Sequence, residues 1–223
     1  MSVATLGGVP VAEFVLVHAA PVEGAGLQLN HALRLGVGKV AAVAQLYSYL
    51  PMLEQQRAVR AVLLFGVAGA YPQRHRAQTP PLAIGEVCVV GSDRLGDEGV
   101  ETPAGFKSLN DLGLGDAGPF PANPRMAAEA AERLGARIVR GVTVSTCSAT
   151  DASSQRLASR CGSDVETMEG AAVAYVCRQR ELPLLHVRAI SNWTGDRDRG
   201  EWSLGLAVDA VQRAVRRLIE VTS

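Results

Sequence analysis

Residues 165–202 read VETMEGAAVAYVCRQRELPLLHVRAISNWTGDRDRGEW. A polar helix start, a helix, an apolar strand and a charged loop with tryptophans follow one another in that order. Thr167 is placed to cap a helix beginning at Met168, which puts Glu169 in the first turn and Ala172, Val173, Val176 and Cys177 on one face. Leu184 to Ile190 is a strand, apolar except for His186 and Arg188. A helix that runs into an apolar strand is the unit from which α/β proteins are built, and the junctions of such units commonly hold ligands. Glu169 and Asn192 stand at two of those junctions.

Outward from this stretch the same alternation continues. Phe14 to Val17 is an apolar run bounded by Ala19-Ala20-Pro21, a buried first strand with Glu23 just past its end. Gly36-Val37-Gly38-Lys39 turns into a helix that stops near Pro51. It is no phosphate loop, because the four-residue spacing between glycines is missing and Val40 stands where a hydroxyl should reach magnesium. Arg60 to Phe65 is a strand that leads into a small-residue loop from Gly66 to Pro72, where the backbone can come close to a ligand or a neighbouring helix. Ile84 to Val90 is another strand. Residues 91–123, rich in Gly, Pro and Asp, read as one long irregular segment of the kind that closes over sites.

Asn123-Pro124 opens a helix to about Leu134, Ile138 to Thr146 is a strand, and Asp151, as a cap, starts a helix to Ser159. Residues 203–219 form an amphipathic closing helix. These elements predict a single-domain, three-layer α/β/α fold with a central mixed sheet over residues 1–223, residues 1–12 being an N-terminal extension.

With 223 residues and 48% hydrophobic content, the chain has ample core for one such domain. Lys plus Arg (22) balances Asp plus Glu (22), which argues against nucleic acid or an anionic membrane as partner and for a small ligand. Arg213, Arg216 and Arg217 then read as a solvated face. Cys88, Cys147, Cys161 and Cys177 lack C-x-x-C spacing and read as reduced, buried thiols rather than a zinc site. No apolar run reaches the roughly 18 residues of a membrane span, and no basic leader precedes one. The expectation is a cytoplasmic protein without metal or cofactor.

Residue type and place leave the polar positions open. Glu23 after a strand reads as a solvated loop acid, and Glu169 in a first helical turn has a purely structural reason to be there, since the helix dipole stabilises acids. Arg188 is costly to bury without a carboxylate, and Glu169 is available as its partner. His186 reads as a satisfied core histidine.

Met168-Glu169-Gly170-Ala171-Ala172, followed after about twenty residues by Val187-Arg188-Ala189-Ile190-Ser191, resembles the purine nucleoside phosphorylase and nucleosidase superfamily, above all its 5′-methylthioadenosine/S-adenosylhomocysteine nucleosidase branch. Gly66-Val67-Ala68-Gly69 and Ile84-Gly85-Glu86-Val87-Cys88-Val89-Val90 match in the same order. The resemblance implies that Glu169 holds the ribose hydroxyls, Met168 lines the sugar, Glu23 activates the attacking water, and Ala68 and Gly69 pass close to a nucleoside. It also implies a homo-oligomer. Cleavage of an N-glycosidic bond builds an oxocarbenium-like sugar and pushes electrons onto the base, so carboxylates at the sugar and a donor at the base are what the chemistry needs.

The resemblance departs at Asn192, where adenine-specific members carry Asp. An amide can donate to O6 of a 6-oxopurine such as hypoxanthine. The run RAISNWTGDRDRGEW resembles the futalosine hydrolases, which release hypoxanthine from futalosine on the way to menaquinone. That substrate ends in a carboxyphenyl ketone, for which Trp193 and Trp202 offer an aromatic wall. Arg197 or Arg199 offers a cation, unless they only pair with Asp196 and Asp198. The segment from Glu23 to Gly36 is shorter than the family's first helix, and Ser148-Ala149-Thr150-Asp151 lacks an aromatic to stack on the base. Asp151 and Glu166 are next in line as acids. Phosphorolysis, adenine-nucleoside cleavage and idle nucleoside binding are the competing readings.

Overall fold

The computed structural model describes residues 4–25, 27, 32–72, 80–196 and 202–219. A hairpin of β1 (Thr5–Leu6) and β2 (Val9–Pro10) precedes β3 (Phe14–His18), α1 (Pro21–Ala25), β4 (Ala32–Arg34), α2 (Lys39–Glu54) and β5 (Ala61–Ala70). After β6 (Val87–Asp93) the chain makes an excursion through β7 (Gly99–Thr102), β8 (Gly105–Ser108), α3 (Leu109–Leu112) and β9 (Phe120–Pro121). Then come α4 (Pro124–Leu134), β10 (Arg137–Thr143), α5 (Asp151–Cys161), β11 (Val165–Thr167), α6 (Gly170–Gln179), β12 (Leu184–Trp193) and α7 (Leu204–Ile219).

The strands lie in the order β11-β10-β6-β12-β5-β3-β4, with β9 added beside β6. β4, β3, β5 and β12 run parallel, and β6 enters antiparallel to β12. This is the expected central mixed sheet. β11 also pairs antiparallel with the end of β5, Val165 opposite Ala70 and Glu166 opposite Gly69, so the sheet curls back on itself there.

Side chains alternate along each central strand and so feed two cores. Phe14, Leu16, Leu63, Phe65, Leu185 and Val187 meet α4 and α7 on one face; Val15, Val17, Val62, Leu64 and Leu184 meet α2 and α6 on the other. Leu46 and Leu50, both fully buried on α2, each contribute about 1.5–3 kcal/mol by leaving water. His186 and Arg188 share the parity of Leu184. They therefore lie on the α6 side of the sheet, the only charged or titratable interruption of β12.

Several elements differ from their expected extents. Residues 66–70 are not a loop: β5 stays extended and paired with β12 as far as Ala70. The glycines there let neighbouring side chains cross the strand rather than letting the strand bend. Residues 91–123 are structured as a hairpin, a short helix boxed by Ser108 and Asp111, and β9. α2 runs through Pro51 to Glu54, because a proline in the last turn removes a single bond and the Gln55 N–H still reaches the Pro51 carbonyl. α5 is capped by Thr150, whose hydroxyl accepts from Ser153 N, and not by Asp151. α6 begins at Gly170, two residues later than Met168, and Glu169 is its flanking residue; Thr167 ends β11 and accepts from Gly170 N.

Candidate active site

Arg188 is the centre from which the site is built. It is 1% exposed, and its Nε donates to His186 Nε2 (2.7 Å) while Nη1 donates to the Val67 carbonyl (3.0 Å). Nη1 lies 3.9 Å from Glu23 Oε1 and Nη2 3.6 Å from Glu169 Oε2. Nη2 has no hydrogen-bond partner. A buried guanidinium needs opposite charge close by. The sequence offered Glu169 for this; the fold supplies Glu23 as well.

Glu23 is not a solvated loop acid. It is 3% exposed, in the single turn of α1, and its carboxylate accepts from Ala19 N (2.9 Å), Ala20 N (2.8 Å) and Val67 N (2.9 Å). Gln212 on α7 pins the same turn by donating to the Glu23 carbonyl (3.0 Å). Gly66 makes the convergence possible, since a Cβ there would collide with Glu23 Oε1 and with Arg188 Nη1.

Glu169 reaches the same place from the other side. Its Oε1 accepts from Gly38 N (2.9 Å) and its Oε2 faces Arg188. Gly38 has φ +96, a left-handed value that a side chain rarely adopts, so the GxGK turn serves to aim an amide at a carboxylate. Burial pushes the Glu169 carboxyl above its ordinary pKa, and Arg188 opposes that rise. Gly38 was not singled out from the sequence as part of a site; a glycine immediately before a helix was its only signal.

The far end is shaped by a β-bulge. Ile190 pairs with Ala68 but Asn192 pairs with Gly69, so Ser191 is an extra residue in β12. Beyond it Asn192 is half-buried, its Oδ1 accepting from Ser191 Oγ (2.8 Å) and its Nδ2 donating to the Trp193 carbonyl (3.0 Å). Trp193 is half-exposed, anchored by its Nε1–H to the Leu82 carbonyl (2.9 Å), and Trp202 is exposed across the mouth. Glu166 forms the wall. It accepts from Tyr71 OH and Ser148 N, both at 2.9 Å, and so is engaged in structure. Asp151 lies outside the cavity, exchanging backbone-to-carboxylate bonds with Asp196.

These residues enclose a cavity of about 500 Å³, within the range that takes a small molecule. Glu23, Glu169, Met168 and Arg188 line one end, Ala68 and Gly69 the middle, and Asn192, Trp193 and Trp202 the other. Arg197, Arg199 and Asp198 lie outside the described residues. Among the described residues no group of three His, Cys, Asp or Glu is placed to hold a metal ion, and no helix is long and apolar enough to cross a membrane. None of the four cysteines forms a disulfide; Cys88 and Cys177 are buried, Cys147 and Cys161 half-buried.

The pattern of the phosphorylase superfamily matches residues 6–223. A futalosine hydrolase of Thermus thermophilus is 35% identical over 193 residues, 84% of this chain and 80% of the relative. One of Streptomyces coelicolor is 35% identical over 161 residues, 72% of this chain and 65% of the relative. Among solved structures, a methylthioadenosine/S-adenosylhomocysteine nucleosidase of Colwellia psychrerythraea in complex with adenine superposes with a TM-score of 0.76 at 18% identity, over 98% of this chain and 96% of the other. The native futalosine hydrolase of Helicobacter pylori superposes with a TM-score of 0.72 at 17% identity, over 92% and 96%. At those identities the structural likeness establishes the fold.

Proposed function

The chain belongs to the phosphorylase superfamily and, within it, to the futalosine hydrolase family of nucleosidases, and from that premise we propose that it hydrolyses the N-glycosidic bond of futalosine and releases hypoxanthine. The observation that carries this reading is the pair of buried carboxylates, Glu23 and Glu169, on either side of Arg188 at one end of a cavity whose other end holds an amide, Asn192, where an acid would suit adenine.

In this reading the ribose lies over Met168 with its hydroxyls on Glu169. The carboxylate becomes a stronger acceptor as the sugar turns cationic, which favours the transition state over the ground state. Glu23 takes the proton of a water that attacks the anomeric carbon. Arg188 keeps two neighbouring acids ionised together and its uncommitted Nη2 is within reach of a substrate or water oxygen. Asn192 donates to O6 of the departing base, Ala68 and Gly69 let the nucleoside lie flat on β5, and the tryptophans take the carboxyphenyl arm, with Arg197 or Arg199 on its carboxylate. The burial of Glu23 in the cavity weighs against an idle binding protein. Neither metal nor organic cofactor enters these steps.

The same reading makes the protein a cytoplasmic homo-oligomer. Val37, Val40, Ala44, Tyr47 and Pro51 are exposed at three- and four-residue steps along α2 and just before it, Val40 by 85%, and Val37 also lines the cavity. An apolar stripe of this kind is what a partner subunit covers.

Incubation with futalosine in phosphate-free buffer tests the reading. Free hypoxanthine without any phosphate requirement is expected, and Glu23→Gln abolishes it. A phosphate-dependent reaction that yields a sugar 1-phosphate, or methylthioadenosine cleaved as fast as futalosine, would replace it with one of the competing activities.

A further inference from the structure

Behind the pocket, on the side of Arg188 turned away from the cavity, the fold buries two more titratable groups that the reaction does not touch. His186 and Arg188 are two apart on β12 and point to the same face. The Arg188 Nε–H donates to His186 Nε2 at 2.7 Å, and since a guanidinium has no lone pair to offer, that ring nitrogen must be the acceptor and the ring proton must sit on Nδ1. Nδ1 faces Asp93 Oδ2 at 3.8 Å. The other oxygen of Asp93 is committed, accepting from Arg94 N (2.8 Å) and Thr143 Oγ1 (3.0 Å), whereas Oδ2 has no hydrogen-bond partner. Gly170, at the start of α6, leaves the room: a Cβ there would strike both Asp93 Oδ2 and the His186 ring.

We infer that His186 and Asp93 are positioning residues: Asp93 holds His186 as the Nδ1–H tautomer, and His186 fixes the rotation of the Arg188 guanidinium between Glu23 and Glu169. Two donor bonds define the plane of Arg188, one to the Val67 carbonyl and one to His186. With the second removed, the guanidinium turns about the first and its distances to the two carboxylates, 3.9 and 3.6 Å, no longer hold together. Burial and the neighbouring Arg188 keep His186 uncharged, so that its lone pair stays available.

The inference rests on the hydrolase reading for its rate measurement, so hypoxanthine release by the unaltered protein is measured first. His186→Leu is expected to lower kcat about 10–100-fold with KM changed less than about threefold, and His186→Gln, whose amide can accept from Arg188 and donate toward Asp93, to restore most of it. Asp93→Asn is the second variant. Its oxygen is claimed by Arg94 N and Thr143, so its NH2 faces His186 Nδ1–H, donor against donor; it folds and loses kcat as His186→Leu does. The nitrogen-15 spectrum of His186 reads the tautomer independently of any substrate. A wild-type spectrum with the proton on Nε2, a folded His186→Leu with undiminished kcat, or an Asp93→Asn enzyme of full activity overturns the inference.

Discussion

Gly66 is the residue on which the site's geometry turns, because a side chain there would occupy the space in which Glu23 and Arg188 meet. Gly66→Ala should leave the fold largely intact while lowering kcat/KM by about 100-fold, as a displacement of about 1 Å in a catalytic group does. Asp93 offers a second test at this scale. Burial raises its pKa from 3.8 to about 7, so between those values the folded protein holds a proton that the unfolded chain has released. Stability therefore falls as pH rises through that window, and the deficit is complete above it. Asp93→Asn removes an ionisation that costs on the order of 2 kcal/mol at pH 8, and thermal midpoints should show the variant gaining on the wild type more at pH 8 than at pH 4. An enzyme made more stable and less active by one substitution separates positioning from support. Arg188 and Glu169 were legible as partners because a buried arginine demands a carboxylate. Glu23 was not, since its burial comes from α1 folding back under three amides, which no periodicity encodes.

Elements were read well where their side chains pattern them and poorly where the backbone alone does. The apolar runs of β3 and β12 and the amphipathic α4 and α7 are where they were expected. The last five residues of β5 were taken for a loop because Gly and Ala give an extended strand no side-chain signature, and β7 and β8 were hidden among glycines. The cap of α5 was misplaced by one residue, since Thr150 and Asp151 are both good capping types. Thr150→Ala should cost about 1 kcal/mol, a fall of roughly 2–4 °C in thermal midpoint for a protein of this size. Asp151→Ala, which leaves the capping box, should cost less than that in the same melt.

Across the whole molecule the fold class was legible and the assembly only by resemblance. If the stripe along α2 joins two copies, Val40→Glu and Tyr47→Glu should shift the protein toward monomers in light scattering, with an apolar-to-charged change at the core of the contact. The pH profile is also a property of the whole, because Glu169 is buried by α2, α6 and β12 together. Its raised pKa means that the ionised, sugar-stabilising form is lost on acidification earlier than the ordinary carboxyl value of 4.5 would give. The acid limb of kcat/KM for futalosine should accordingly have its midpoint above 4.5, and a rate unchanged down to that pH would detach Glu169 from the reaction.

The bulge at Ser191 divides the labour of the strand that carries it. Every residue before it, including His186 and Arg188, keeps the parity of the sheet, while Asn192 and Trp193 are aimed by the extra residue. Replacements after the bulge can re-aim or rewrite base recognition without disturbing the strand's hold on Arg188. The fold thus gives this family a hinge in heredity: a place where the nucleobase it accepts is free to change while the bond it breaks stays the same.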